Sequence, residues 1–411
     1  MKKKRMIPRI LSAVLALSFI FTGCGREAVP TVTETSQEKT ASEEASSEAN
    51  TSKETGSLTE RTFPVTEEYV KLTGRTGMNN DIRWLIHSAS RVEFKFKGTK
   101  ASIVVRGDAS ISGAISSRAR FAVYVDGKRT LDRMVGKMEE TLEIYSSDEE
   151  KEVEIAIVKL SEAANSVFGI KAINVTSSGD IEPLPEKLKK IEFIGDSITC
   201  GYGVDDEDRN HHFSTETEDA TKTYAYKTAE ALDADYSVVA YSGHGIISGY
   251  SGDGSRRDSQ LVPDVYELLG KSYGSADAVI DLSVKWDFSA FIPDYIVINL
   301  GTNDESYTMH DTARRQEYIA AYVDFLKMIR KDNPGAHIIA SLGIMGDGLF
   351  TGVEEAVKQY TSETGDNNIS TLHFSPQDGT AGYAADWHPT EATQEIAAKE
   401  LMEHIQHIPE P

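Results

Sequence analysis

Ser197 stands in Gly195-Asp196-Ser197-Ile198-Thr199, directly after a short apolar run. Three other short stretches carry groups that chemistry could use with it: Ser242-Gly243-His244-Gly245, Gly301-Thr302-Asn303-Asp304 and Asp386-Trp387-His388-Pro389. Acyl transfer needs a nucleophile, a base to take its proton, and donors for the oxyanion. Ser197 supplies the hydroxyl and His388 the imidazole. The backbone N–H groups of Ser197 and Gly243 and the side-chain amide of Asn303 supply the oxyanion donors. Gly243 has no side chain to hold its N–H away from a substrate. Each such donor is worth about 3–4 kcal/mol in the transition state.

Two groups compete to orient His388. Asp386 lies two residues before it, and residues i and i−2 of an extended segment point to one side, which would complete a triad. The alternative is a Ser–His dyad with a backbone carbonyl holding the Nδ1 proton. Trp387 and Trp286 offer flat apolar rings that suit a pyranose face, with core packing as the other use of Trp286. His244, inside the second stretch, is in reach of a substrate. Asp196 organises the nucleophile loop, and Cys200 reads as a small buried thiol. His211-His212, among Asp205, Asp206, Glu207 and Asp208, match no familiar metal spacing and read as a solvated loop. No metal and no cofactor is called for, because protein groups complete the chemistry.

These groups need a scaffold. From about residue 186, Lys190 to Ile194, Tyr236 to Tyr241, Tyr295 to Leu300 and His337 to Leu342 read as strands. Thr223 to Leu232, Arg314 to Asp332 and Ala392 to Ile405 have helical spacing. Alternation of the two predicts a doubly wound parallel α/β sheet of three layers over 186–408. Functional loops of such sheets lie beyond the carboxyl ends of the strands, where the first three stretches fall. The fourth precedes the closing helix.

Residues 62–178 differ. Val92, Phe94 and Phe96 alternate with Glu93, Lys95 and Lys97; Ala101, Ile103 and Val105 continue after Gly98; and Val125 runs into the hairpin signal Asp126-Gly127. Further strands are expected at Val153 to Ile157 and Ile170 to Val175. Many short strands predict a β-sandwich of jelly-roll type.

The N-terminus reads as an address. Lys2 to Arg5 and the apolar run Ile10 to Phe21 form a secretory signal, too short to span a membrane. Phe21-Thr22-Gly23-Cys24 resembles a bacterial lipobox, with Cys24 as the lipidated residue and 1–24 as the signal segment. Residues 25–61, rich in Ser, Thr and Glu, read as a disordered tether. The expected place is the outer face of a bacterial membrane, lipid-anchored, or secreted. The only cysteines are Cys24 and Cys200, so no disulfide framework is expected. A net charge of −22 over 411 residues disfavours nucleic acid and anionic membrane surfaces as partners.

The blocks Ser197, Gly243, Asn303 and His388, in that order, resemble the SGNH (GDSL-type) hydrolases. With the preceding β-region and Trp286-Asp287-Phe288, the chain is more specifically similar to carbohydrate esterase family 2. That resemblance implies an N-terminal jelly-roll joined to an SGNH domain, and removal of acetyl groups from an acetylated polysaccharide or oligosaccharide. The usual SGNH pattern places an Asp three residues before the His; here that position is Ala385, and family 2 is known for tolerating a carbonyl instead. The competing functions are an esterase or lipase on other acyl esters or cell-wall acetyl groups, and a carbohydrate-binding surface lipoprotein without turnover.

Overall fold

Alternation along Arg91–Gly107 buries Val92, Phe94, Phe96, Ile103 and Val105. A computed structural model describes residues 57–274 and 279–409. The expected signal segment, Cys24 and the tether up to residue 56 lie outside the described residues. The β-region holds β1 (Thr59–Phe63), β2 (Lys71–Thr73), β3 (Thr76–Asn79), β4 (Ile82–Leu85), β5 (Arg91–Gly107), β6 (Arg120–Val125), β7 (Lys128–Met134), β8 (Glu139–Lys159), β9 (Phe168–Ser177) and β10 (Glu182–Pro183). β1 starts inside the stretch expected to be tether. Its first residues are exposed, so hydropathy gave no sign of it, but its backbone pairs with β9.

Two of the strands are longer than the short alternating runs suggest. β5 and β8 have 17 and 21 residues and pair along most of their length, with register shifts at Gly98/Lys100 and Ala101/Ser102. Such shifts bend a strand pair. Before the bend β5 borders β2 and β10; beyond it β5 borders β9. The antiparallel sheet thus folds over one core, with Phe94, Phe121, Ile155 and Ile173 inside. Gly98 marks the bend: a Cβ there would lie 2.2 Å from the Thr176 carbonyl oxygen.

The second region is a five-stranded parallel sheet of β11 (Lys189–Gly195), β12 (Ala234–Ala240), β13 (Tyr295–Asn299), β14 (His337–Leu342) and β15 (Ile369–His373), in the order β12-β11-β13-β14-β15. Its helices are α1 (Ser197–Cys200), α2 (Tyr224–Ala231), α3 (Pro263–Tyr266), α4 (Thr302–Thr308), α5 (Thr312–Asp332), α6 (Phe350–Thr364) and α7 (Glu391–Gln406). One apolar cluster packs α5 and α6 on the sheet and another packs α2 and α7 on the opposite face. The result is three layers. β11 has β12 on one side and β13 on the other, so the strand order reverses there. Ligand sites of open α/β sheets form at that switch point.

The described residues form one compact unit. Ile82, Trp84 and Ile86, with Ala163 and Val167 of the β8–β9 loop, share a core cluster with Ile194, Val239 and Tyr241. Arg75 is fully buried; its guanidinium donates to the carbonyls of Tyr266 (2.5 Å) and Leu268 (2.6 Å) and meets Glu192 of β11 at 3.3 Å. Lys71 pairs with Asp235 at 2.5 Å. Among the described residues no helix is long and apolar enough to cross a membrane.

Candidate active site

β11 delivers the chain into α1 through Gly195, where a Cβ would lie 2.1 Å from Thr199 Oγ1. Asp196 caps α1, accepting from the Ile198 N–H at 3.0 Å. Burial raises the Asp196 carboxyl to about 7. Ser197 is the first residue of that single turn, so its N–H is among those a helix leaves without an internal acceptor. Its Oγ donates to His388 Nε2 at 2.8 Å. His388 Nδ1 donates to the Ala385 carbonyl at 3.1 Å. That bond leaves Nε2 as the acceptor for the serine proton. Burial lowers the His388 pKa to about 4, which keeps the ring neutral. The Tyr202 ring stacks on the imidazole with centroids 3.9 Å apart and planes within 15°.

Of the two candidate orienters of His388, the backbone carbonyl of Ala385 and not Asp386 takes the place. The segment before His388 is a turn, with φ positive at Asp386 (47°) and Trp387 (64°), so the rule for extended segments does not apply. The Asp386 carboxylate accepts instead from Tyr202 Oη at 2.5 Å and from His212 Nδ1 at 2.8 Å. His212 itself is exposed. His211 pairs with Asp206 in an exposed loop.

Gly243 has φ of +75°, a conformation that favours glycine. Among the described residues its N–H has no protein acceptor. The loop is held from α4: the buried Asp304 carboxylate accepts from the N–H groups of Ile246 (3.0 Å), Ile247 (2.7 Å) and Ser248 (3.1 Å). Neighbouring Asn303 donates to the His244 carbonyl at 2.9 Å and to Asp196 Oδ2 at 3.2 Å. Those two bonds aim the amide between the first and second stretches. Ser197, Gly243, Asn303 and His388 line one cavity of about 440 Å³ with Tyr202, Tyr250 and Trp387.

Three of the expected substrate residues part company here. Trp387 lines the cavity, 48% exposed, with the Arg209 guanidinium 4.1 Å from its ring centroid. Trp286 does not reach it. It precedes β13, at the end of the sheet away from the catalytic loops, and its ring stands 5.3 Å from the buried Arg75 guanidinium. His244 is turned inward and buried, with Nδ1 2.9 Å from the Ser242 carbonyl and Nε2 2.8 Å from Tyr273 Oη. His244 therefore does not face the cavity: the turn at Gly243 directs it into the protein. Cys200 is a buried free thiol.

Two family models match the chain. A model of the GDSL-like lipase/acylhydrolase family matches residues 193–396, and one of the carbohydrate esterase 2 N-terminal region matches 72–185. A solved family two carbohydrate esterase from Clostridium thermocellum, in complex with cellohexaose, is 30% identical with a TM-score of 0.71, over 82% of this chain and 98% of that one. The chain belongs to carbohydrate esterase family 2. Among its family relatives, the cellulase/esterase CelE of Acetivibrio thermocellus is 31% identical over 77% of this chain, which spans only 37% of CelE. An acetylxylan esterase/glucomannan deacetylase of Cellvibrio japonicus is 25% identical over 84% of this chain and 91% of that one.

Sequence reasoning passed over Tyr202, Tyr250 and Asp304. Tyr202 carried one sign, its place between Gly201 and Gly203 in the nucleophile loop. Asp304 was visible only as the residue after Asn303, since its three N–H partners come from another loop.

Proposed function

We propose that this family 2 chain is an exported serine esterase that removes O-acetyl groups from polysaccharide or oligosaccharide through a Ser–His dyad and an acyl-enzyme. The observation that carries the proposal is the chain of bonds from Ser197 Oγ to His388 Nε2 and from His388 Nδ1 to the Ala385 carbonyl. His388 takes the Ser197 proton as Oγ attacks the acetyl carbonyl. The oxyanion that forms meets the N–H groups of Ser197 and Gly243 and the Asn303 amide, which gives up its longer bond, to Asp196 Oδ2, to donate to it. The imidazolium then gives its proton to the departing sugar oxygen. Water, deprotonated by the same nitrogen, attacks the acetyl-serine and restores the enzyme. Catalysis needs these donors placed for the transition state rather than for the resting ester.

A cavity of about 440 Å³, open beside Trp387, has room for an acetyl group and the ring that carries it. The deacetylase reading is supported by the relatives' named substrates, and the exported, lipid-anchored state by the layout of residues 1–24. The test is hydrolysis of p-nitrophenyl acetate by wild type and Ser197→Ala, followed by acetate release from acetylated xylan, glucomannan and peptidoglycan. Ser197-dependent acetate release from a plant-type polysaccharide is expected. Turnover that survives Ser197→Ala, or preference for long acyl chains, overturns the proposal.

A further inference from the structure

The loop between β8 and β9 belongs by sequence to the β-region, yet Glu162 on it is buried beneath the active site. Its Oε2 accepts from the backbone N–H of Ser242 at 2.8 Å, and the Cys200 thiol lies 3.6 Å from the same oxygen. Its Oε1 accepts from Asn165 Nδ2 at 3.2 Å. Ser242 immediately precedes Gly243, and Cys200 closes the turn that begins at Ser197. One carboxylate therefore touches both segments that present oxyanion N–H groups.

We infer that Glu162 is a positioning residue for the oxyanion hole, supplied to the α/β sheet by the β-region. The inference rests on the esterase reading above. Every group that hydrogen-bonds the Glu162 carboxylate is a donor, so the acceptor-only ionised form is the one that fits. Burial raises the Glu162 carboxyl, and the Ser242 N–H and the Lys159 charge oppose that rise. The Lys159 ammonium is buried against the carbonyls of Ser161 and Glu162. The other buried carboxyl, Glu218, accepts from the Glu162 N–H at 3.0 Å. Burial, together with the nearby Glu162 charge, pushes Glu218 well up. Burial and the Glu162 charge thus favour the proton on Glu218, which leaves the Glu162 carboxylate to hold Ser242. Glu162, Cys200 and Glu218 also offer three ligand atoms within 4.8 Å of one another. The Lys159 ammonium supplies the positive charge that a cation would bring.

The consequence is geometric. Without Oε2 the Ser242 N–H loses its acceptor, and the peptide that aims the Gly243 N–H is left held only by His244 Nδ1 on the Ser242 carbonyl. Misplacing a catalytic donor by about 1 Å costs on the order of 10²-fold. The test uses Glu162→Gln and Glu162→Asp in the full chain. Gln keeps the size but must present an NH2 to one of the facing donors; Asp keeps the charge but withdraws it from Ser242. For the folded variants, kcat on p-nitrophenyl acetate is expected to fall roughly 10- to 100-fold with KM within about twofold. A purely structural role would lower the folded fraction and leave kcat per folded molecule unchanged. The Ser242 amide of 15N-labelled protein gives a readout independent of turnover. It is expected to be exchange-protected and shifted downfield in wild type, and to lose both in the variants. Unchanged kcat in a folded variant, an unchanged Ser242 amide, or metal bound stoichiometrically at this cluster overturns the inference. Wild-type protein that shows the protected amide but no Ser197-dependent turnover refutes the esterase reading instead, and with it the catalytic purpose of the contact.

Discussion

Replacing Asp386 with Asn is the sharpest test of how His388 is oriented. A triad aspartate that loses its charge lowers kcat about 10⁴-fold, because the histidine then holds the wrong tautomer. Here the Nδ1 proton goes to the Ala385 carbonyl, which the substitution leaves in place. What does change is the bond from Tyr202, now made to a neutral oxygen. Hydrogen bonds to charged groups are worth about 1.5–3 kcal/mol and neutral ones about 0.5–1.5. The difference, roughly 1–1.5 kcal/mol, reaches the reaction only through the Tyr202 ring stacked on the imidazole. If all of it were lost in the transition state, the rate would fall roughly 5- to 13-fold. The facing His212 is 89% exposed and can turn to water. Asn also tolerates the left-handed backbone at this position. The Asp386 charge raises the His388 pKa, so its removal moves the acid limb of kcat/KM to lower pH. The assay is p-nitrophenyl acetate hydrolysis across pH, with thermal unfolding to confirm the fold. A loss of 10³-fold or more in folded protein would refute the carbonyl-held dyad.

Three further outcomes follow from the same geometry. Asn303→Ala removes one oxyanion donor and is expected to lower kcat roughly 10²- to 10³-fold; a loss under tenfold in steady-state assays would remove Asn303 from the oxyanion hole. His388, lowered by burial to about 4, sheds its proton at lower pH than an ordinary histidine near 6.5, so the base form persists as pH falls. The acid limb of kcat/KM should lie below about pH 5, and a limb at about 6.5 or above would contradict the burial argument. Arg75→Met leaves Glu192 buried without its cation, at a cost of about 3–5 kcal/mol. Urea unfolding measures it, and a cost under about 1 kcal/mol would show that the contact between regions carries no weight.

The sequence made the parallel sheet legible because its central strands are buried on both faces and read as apolar runs, as in Tyr295–Asn299. β15 escaped: Ile369–His373 lies at the sheet edge, half-exposed and interrupted by Ser370 and Thr371. α6 escaped too, with Gly352 and several polar residues diluting its stripe. Ser197, Gly243, Asn303 and His388, which meet in one cavity, were legible because each follows a strand or precedes a helix in fixed order. Asp386 and His244 were not, because each depends on local backbone turns, and positive φ at Asp386, Trp387 and Gly243 leaves no periodic trace. Trp286 is ambiguous in the sequence for another reason: an aromatic ring has the same composition value at a sugar cleft as against a buried arginine.

The shared core beneath Ile82, Trp84, Ile86, Ala163 and Val167 sets the unit in which this protein can be recombined. A cut near residue 180 looks natural from the change of strand pattern. It would strip those apolar side chains from the α/β sheet and leave Glu192 facing solvent or void in place of Arg75. Chimeras that exchange specificity should therefore transplant residues 57–409 as one cassette, or vary only the loops around Trp387 and Tyr250.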